Sequence, residues 1–206
     1  ENVERCGGKV VAVDDEMGKP VDPDKLRDAL KAHPNAKAVA FVHAETSTGV
    51  ASDAATLCKI ARDSGCLTIM DTVTSLAGIP VEVDAWGADA TYSGTQKCIS
   101  CPPGLSPVTF SRRAIEAVKA RKTKVQSWFL DLNLVLAYWD GDGGRSYHHT
   151  APVNALYGLN EALTMVEDEG LENAWARHAQ THNALRAGTE AMGLKFLVDS
   201  AYRLPQ

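Results

Sequence analysis

The sequence predicts an α/β fold, a mainly parallel sheet sandwiched by helices. Continuous apolar runs at residues 38–42 and 67–70 lack the polar alternation of half-exposed strands and read as buried parallel strands. Between and after them apolar residues recur at helical spacing, and beyond residue 112 the pattern is helical almost throughout.

Along the chain, residues 10–13 form a β-branched run after Gly7-Gly8 and read as a first strand. Asp22 is placed to cap a helix whose first turn holds Pro23, with Leu26 and Leu30 on one face and His33-Pro34 as its end. The strand at 38–42 follows, then the polar turn Thr46-Ser47-Thr48-Gly49. Asp53 caps a helix carrying Ala54, Leu57, Cys58 and Ala61, closed by Gly65. The strand at 67–70 ends on Asp71, and residues 90–93 and 107–110 are two further short strands. Ile115 and Val118 mark a helix, Leu132, Val135, Leu136 and Trp139 another, and residues 140–144 a loop. Leu156, Leu159, Leu163 and Val166 mark a helix ending near Gly170, and residues 172–192 should form one more. Residues 195–198 read as a strand opening a new unit. The chain starts without methionine and stops without a tail, so it reads as an internal piece of a longer protein.

Composition narrows the function. Of the 206 residues 45% are hydrophobic and 23% charged, ordinary for a soluble domain with a sizeable core. A net charge of −5 without a basic stripe argues against nucleic-acid and anionic-membrane partners. Nothing approaches the ~18 apolar residues of a membrane span, and no signal peptide opens the chain. Five irregularly spaced cysteines do not make a disulfide framework and suit a reducing compartment.

Ligands of parallel α/β sheets sit beyond the carboxyl ends of the strands. Asp71 ends one buried run, and Ser93-Gly94-Thr95-Gln96-Lys97 leaves the next, so an acid and an amine can share that rim. A lysine amine can attack an aldehyde cofactor, and a carboxylate can stabilise a protonated pyridine nitrogen at the far end of the same ring.

Asp71-Thr72-Val73-Thr74-Ser75, Tyr92-Ser93-Gly94-Thr95-Gln96-Lys97 and Pro102-Pro103-Gly104 resemble the alanine–glyoxylate/serine–pyruvate aminotransferase family, class V enzymes of pyridoxal-phosphate fold type I. Ala44-Glu45-Thr46-Ser47-Thr48-Gly49, Arg121-Lys122-Thr123-Lys124, Tyr147-His148-His149-Thr150 and Gly170-Leu171-Glu172-Asn173 extend the resemblance, in order, over nearly the whole chain. It implies pyridoxal 5'-phosphate as cofactor and ping-pong transamination from alanine or serine to glyoxylate or pyruvate. Lys97 would form the internal aldimine and move the substrate proton, and Asp71 would pair with the pyridinium nitrogen. Val73 would pack on the ring, Thr46 would bond near its phenolic oxygen, and Gln96 would contact the phosphate. Tyr147 and Thr150 would reach the phosphate of a neighbouring subunit's cofactor in a homodimer. Residues 1–193 would be the large domain without its N-terminal part, and 194–206 the beginning of the C-terminal small domain. The phosphate-binding glycine loop and ring-stacking aromatic would precede Glu1 and the substrate-carboxylate arginine would follow Gln206, so the chain alone is expected to be inactive. The compartment would be the cytoplasm, or the peroxisome in a eukaryote.

Other patterns take plainer readings. Cys98 and Cys101 form a C-x-x-C with no second pair to complete a zinc site, and read as a loop. His178 and His182 lack the glutamate of a zinc-protease helix, because Ala179 holds that place, and read as packing histidines. His148-His149 suit a subunit contact or shaped turn, and residues 140–144 lack the later glutamate of a calcium loop. The rival functions are an aminoethylphosphonate transaminase, a cysteine desulfurase and a non-catalytic scaffold. A desulfurase would carry histidine where Gln96 stands and a cysteine beyond Cys101, and no cysteine follows there.

Overall fold

The computed structural model describes residues 1–140 and 146–206, with only the backbone of residue 140. A short opening helix, α1 (Asn2–Arg5), precedes an extended stretch. Helix α2 (Pro23–Ala32) starts as its sequence requires: the Asp22 carboxylate accepts from Asp24 and Lys25 N–H, and proline fills the first turn. Strand β1 (Ala38–Val42) leads into a tight hairpin, β2 (Ala44–Glu45) and β3 (Val50–Ala51), whose turn uses Gly49 at φ 81°. Asp53 caps α3 (Ala54–Asp63) through Thr56 N–H, and β4 (Leu67–Asp71) follows. The one-turn helix α4 (Val83–Trp86) precedes β5 (Ala90–Tyr92) and β6 (Val108–Phe110). Four helices complete the chain: α5 (Arg112–Ala120), α6 (Leu132–Asp140), α7 (Val153–Glu169) and α8 (Leu171–Ala191).

The main sheet has the order β1-β4-β5-β6, parallel except for its last pair. Its register aligns the strand ends: Val42 lies opposite Asp71, and Asp71 opposite Tyr92. Helices α2 and α3 cover one face, where Leu26, Val39, Phe41, Leu57, Cys58 and Met70 form the main core. On the other face Ile69 and Tyr92 are each 40% exposed, so the described helices form one side of the predicted sandwich. A smaller cluster of Ala77, Ile99, Cys101 and Ala162 packs α7 against the loops that follow β4 and β5.

Two predicted strands are absent. Residues 10–13 are extended but join no ladder, and Val10, Val11 and Val13 stay exposed. A β-branched run becomes a strand only beside a partner edge, and this one has none among the described residues. Residues 195–198 also form no strand. The tail instead turns at Asp199, whose carboxylate accepts from Ala201 N–H, and folds onto the hairpin. Ala51 N–H donates to Tyr202 O at 2.7 Å, Leu204 N–H to Gly49 O at 2.8 Å, and Val198 and Leu204 are buried. Asp140, predicted as loop, closes α6, while residues 141–145 of that segment lie outside the described residues.

A buried carboxylate locks the sheet's far end. Asp89, 1% exposed, accepts from Thr68 N–H at 3.1 Å and Ser111 Oγ at 2.7 Å, and its own N–H donates to Thr68 Oγ1. Removing the carboxylate leaves the Thr68 N–H and the Ser111 hydroxyl, from two segments, without their acceptor. Asp89→Ala in the complete protein should therefore cost about 3 kcal/mol in a denaturant titration; a change below about 0.5 kcal/mol would show the network to be idle.

Candidate active site

Three strand ends build the site. β1 ends beside His43, β4 on Asp71 and β5 on Tyr92, all at one rim because the register aligns them. His43 N–H donates to Asp71 O at 2.9 Å, and Thr72 N–H donates to Tyr92 O at the same distance, continuing the ladders past the strands. The loops beyond are stitched by small hydroxyl side chains. Thr72 Oγ1 donates to Tyr92 O, Ser93 Oγ to Thr72 O, and Thr95 Oγ1 to Pro102 O, each between 2.8 and 3.0 Å. Thr72, Ser75, Ser93 and Thr95 are buried, so these bonds satisfy groups that water cannot reach. Ala77 at φ 68° and Ser100 at φ 60° occupy the left-handed region without being glycine, at a cost of order 1 kcal/mol each. Each lies in one of these two loops.

The Asp71 carboxylate is held by the backbone and faces a phenol. Its Oδ1 accepts from Val73 N–H at 2.8 Å, and its charge acts on the neighbouring Tyr92 phenol. Burial, then the bond to Asp71 and its charge, push the Tyr92 phenol up to about 12, so it stays a protonated donor at neutral pH. A carboxylate offers about four acceptor sites, so Asp71 retains room for a further donor.

Val73 and Gln96 converge over Gly94. A Cβ placed on Gly94 would come within 2.8 Å of Gln96 Oε1 and 3.4 Å of Val73 Cγ1, so the loops after β4 and β5 meet at this glycine. Thr46, at the tip of the β2–β3 hairpin, touches Thr74 through their hydroxyls. Lys97 follows Gln96 in a turn closed by Ser100 N–H donating to Lys97 O at 2.9 Å. Its side chain is half-buried, and its amine has no acceptor among the described residues. Next to it, Cys98 Sγ reaches Thr74 O at 3.5 Å.

Thus Asp71, Val73, Thr46, Gln96 and Lys97 lie on loops joined by direct contacts. Tyr147 and Thr150 do not join them: both are exposed, and their hydroxyls bond to each other at 2.7 Å. The sequence reading missed Tyr92, His43 and Ser75 as site residues. Tyr92 and Ser75 stood inside motifs quoted for their neighbours, and no local pattern marks His43.

Cys98 and Cys101 are free thiols, and burial pushes the Cys98 thiol up despite nearby Arg177 and Lys97, the opposite of a reactive cysteine. No cluster of metal-ligating residues occurs among the described residues, and the His182 ring packs near Phe196. No described helix is long and apolar enough to cross a membrane. A cavity of about 280 Å³ between residues 15–21 and the β2–β3 hairpin, and one of about 790 Å³ between residues 76–82 and the α7–α8 junction, are lined by neither Asp71 nor Lys97.

Known proteins resemble this chain in sequence and in fold. The sequence profile of the family described as Aminotransferase class-V matches residues 1–202. Alanine–glyoxylate aminotransferase of Callithrix jacchus is 36% identical over 204 residues, covering 98% of this chain and 49% of that protein. (S)-Ureidoglycine–glyoxylate transaminase of Bacillus subtilis is 35% identical over 224 residues, covering 100% and 53%. The crystal structure of alanine–glyoxylate aminotransferase from Nostoc sp. superposes with a TM-score of 0.93 at 44% identity, covering 98% of this chain and 53% of that one. The chain spans about half the length of the relatives it matches.

The link between Tyr92 and Asp71 has a measurable signature. Because the folded phenol titrates above its ordinary value of 10.0, its contribution to stability is complete below pH 10 and is lost as pH rises toward about 12. Spectrophotometric titration should show one phenol ionising near 12 that vanishes in Tyr92→Phe. Ionisation of Tyr92 near 10 would contradict the contact.

Proposed function

The chain belongs to the class-V aminotransferase family, and from that premise we propose that it carries the amine and carboxylate that hold pyridoxal 5'-phosphate for transamination. The observation that carries this reading is the common rim: a half-buried Lys97 amine without an acceptor among the described residues and an Asp71 carboxylate with acceptor capacity to spare lie on segments joined through Val73, Gly94 and Gln96. These residues fit the cofactor. Asp71 would accept from its ring nitrogen and Lys97 would bond its aldehyde carbon. Val73 would cover one ring face, Thr46 would bond near the phenolic oxygen, and Gln96 would reach the phosphate. When bound, the cofactor supplies an electron sink for the substrate α-carbon.

The chain's own residues supply positioning and proton transfer. The Lys97 amine, once displaced by the substrate's amine, would act as the base at the substrate α-carbon and return the proton in the second half-reaction. Asp71, steadied by Val73 N–H, would hold positive charge at the opposite end of the ring. Alanine or serine would be donor and glyoxylate or pyruvate acceptor. Glyoxylate is favoured, because relatives named for different donors, alanine and (S)-ureidoglycine, share it in their names.

A homodimer would complete the site. Trp128, Phe129, Leu130 and Trp139 are all more than half exposed, and Tyr147 and Thr150 are exposed beyond them, which suits a face closed by a second copy.

Borohydride reduction of the complete protein with pyridoxal phosphate should leave a pyridoxyl mass on the peptide containing Lys97. Lys97→Ala should lose that label and about a thousandfold in amino transfer from alanine to glyoxylate. A label on another lysine, or an active Lys97→Ala protein, would overturn the assignment.

A further inference from the structure

We propose that the buried His43–Ser75 side-chain pair is a positioning device, fixing the loop that carries Val73 and Thr74 and, through it, the Asp71 carboxylate. This rests on the reading of Asp71 and Lys97 as the cofactor-holding pair.

His43 and Ser75 are 5% and 0% exposed, and His43 Nδ1 lies 3.0 Å from Ser75 Oγ across 32 residues of sequence. The backbone of His43 is fixed as well, and its ring is packed. Its backbone N–H donates to Asp71 O, its carbonyl accepts from Ser52 N–H at 2.9 Å, and its ring meets Trp86 edge-on at 5.1 Å. Burial lowers its pKa to about 4 against the pull of Asp53, so the ring is neutral at neutral pH and offers one donor and one acceptor nitrogen.

The loop it grips is tied at its start by Thr72 to β5. It then turns at Ser75, whose carbonyl accepts from Gly78 and Ile79 N–H. Val73 N–H, between those anchors, bonds the Asp71 carboxylate. Releasing Ser75 would therefore loosen Val73 and Thr74 together and turn Asp71 with them. Packing alone would be served by a hydrocarbon, whereas a buried imidazole facing a buried hydroxyl is stable only with the bond made.

The test uses the complete protein with pyridoxal phosphate as probe, and the variants Ser75→Ala, His43→Leu and His43→Asn. An asparagine can present a polar atom close to the position of Nδ1. Ser75→Ala and His43→Leu should each weaken cofactor binding about tenfold, the double variant no more than either, and His43→Asn should restore most of it. Thermal melting without cofactor separates this from general destabilisation, since Ser75→Ala removes one oxygen and should shift cofactor binding more than melting. Ser75→Ala also decides the matter if His43→Leu does not fold. Cofactor binding unchanged in Ser75→Ala, or His43→Asn no better than His43→Leu, would overturn the proposal. Failure of the unaltered protein to take the cofactor on Lys97 would instead sink the functional reading, and this inference with it.

Discussion

The parallel register of β1, β4 and β5 is the constraint from which the rest follows. Because Val42, Asp71 and Tyr92 lie side by side, three loops leave the sheet at one edge, and residues distant in sequence become neighbours. A slip by one residue would turn Asp71 and Tyr92 toward the opposite face, where Phe41, Met70 and Thr91 are buried. The register is held by that apolar core, so the packing of Leu57, Cys58 and Met70 sets where the polar residues stand.

Beyond the strand ends the structure is held by hydroxyl groups rather than hydrocarbon. Thr72, Ser75, Ser93 and Thr95 are buried: Thr72 and Ser93 tie the segments after β4 and β5 together, Thr95 braces its own loop through Pro102 O, and Ser75 meets His43. Each such bond adds only about 1 kcal/mol net, but an unmade one costs more, so the set admits few alternative arrangements. That stiffness is what a site needs when a carboxylate and an amine must face each other across a fixed span. His43 extends the same logic to the first strand, since its backbone continues the sheet while its ring grips the loop after the second.

Much of the sheet was legible in the sequence. The runs at 38–42 and 67–70 are strands as expected, although only alternate residues of each are buried among the described residues, and Asp22 and Asp53 announce the helices they cap. The runs at 10–13 and 195–198 misled for one reason: a strand is defined by its partner, and composition does not reveal whether an edge is waiting. Asp71 and Lys97 stood out by position and motif. The place of Tyr92 beside Asp71 and the pairing of His43 with Ser75 depend on strand register and loop approach, which one-dimensional spacing does not encode. Gly94 lies between: its place in the loop was visible, but the approach of Val73 and Gln96 to it was not.

A crystal structure of the complete protein grown with pyridoxal phosphate tests the central claim most directly. Continuous density should join Lys97 Nζ to the cofactor's aldehyde carbon, with an Asp71 carboxylate oxygen about 2.7–2.9 Å from the ring nitrogen. A ring bound at another lysine, or one whose nitrogen points away from Asp71, would contradict it.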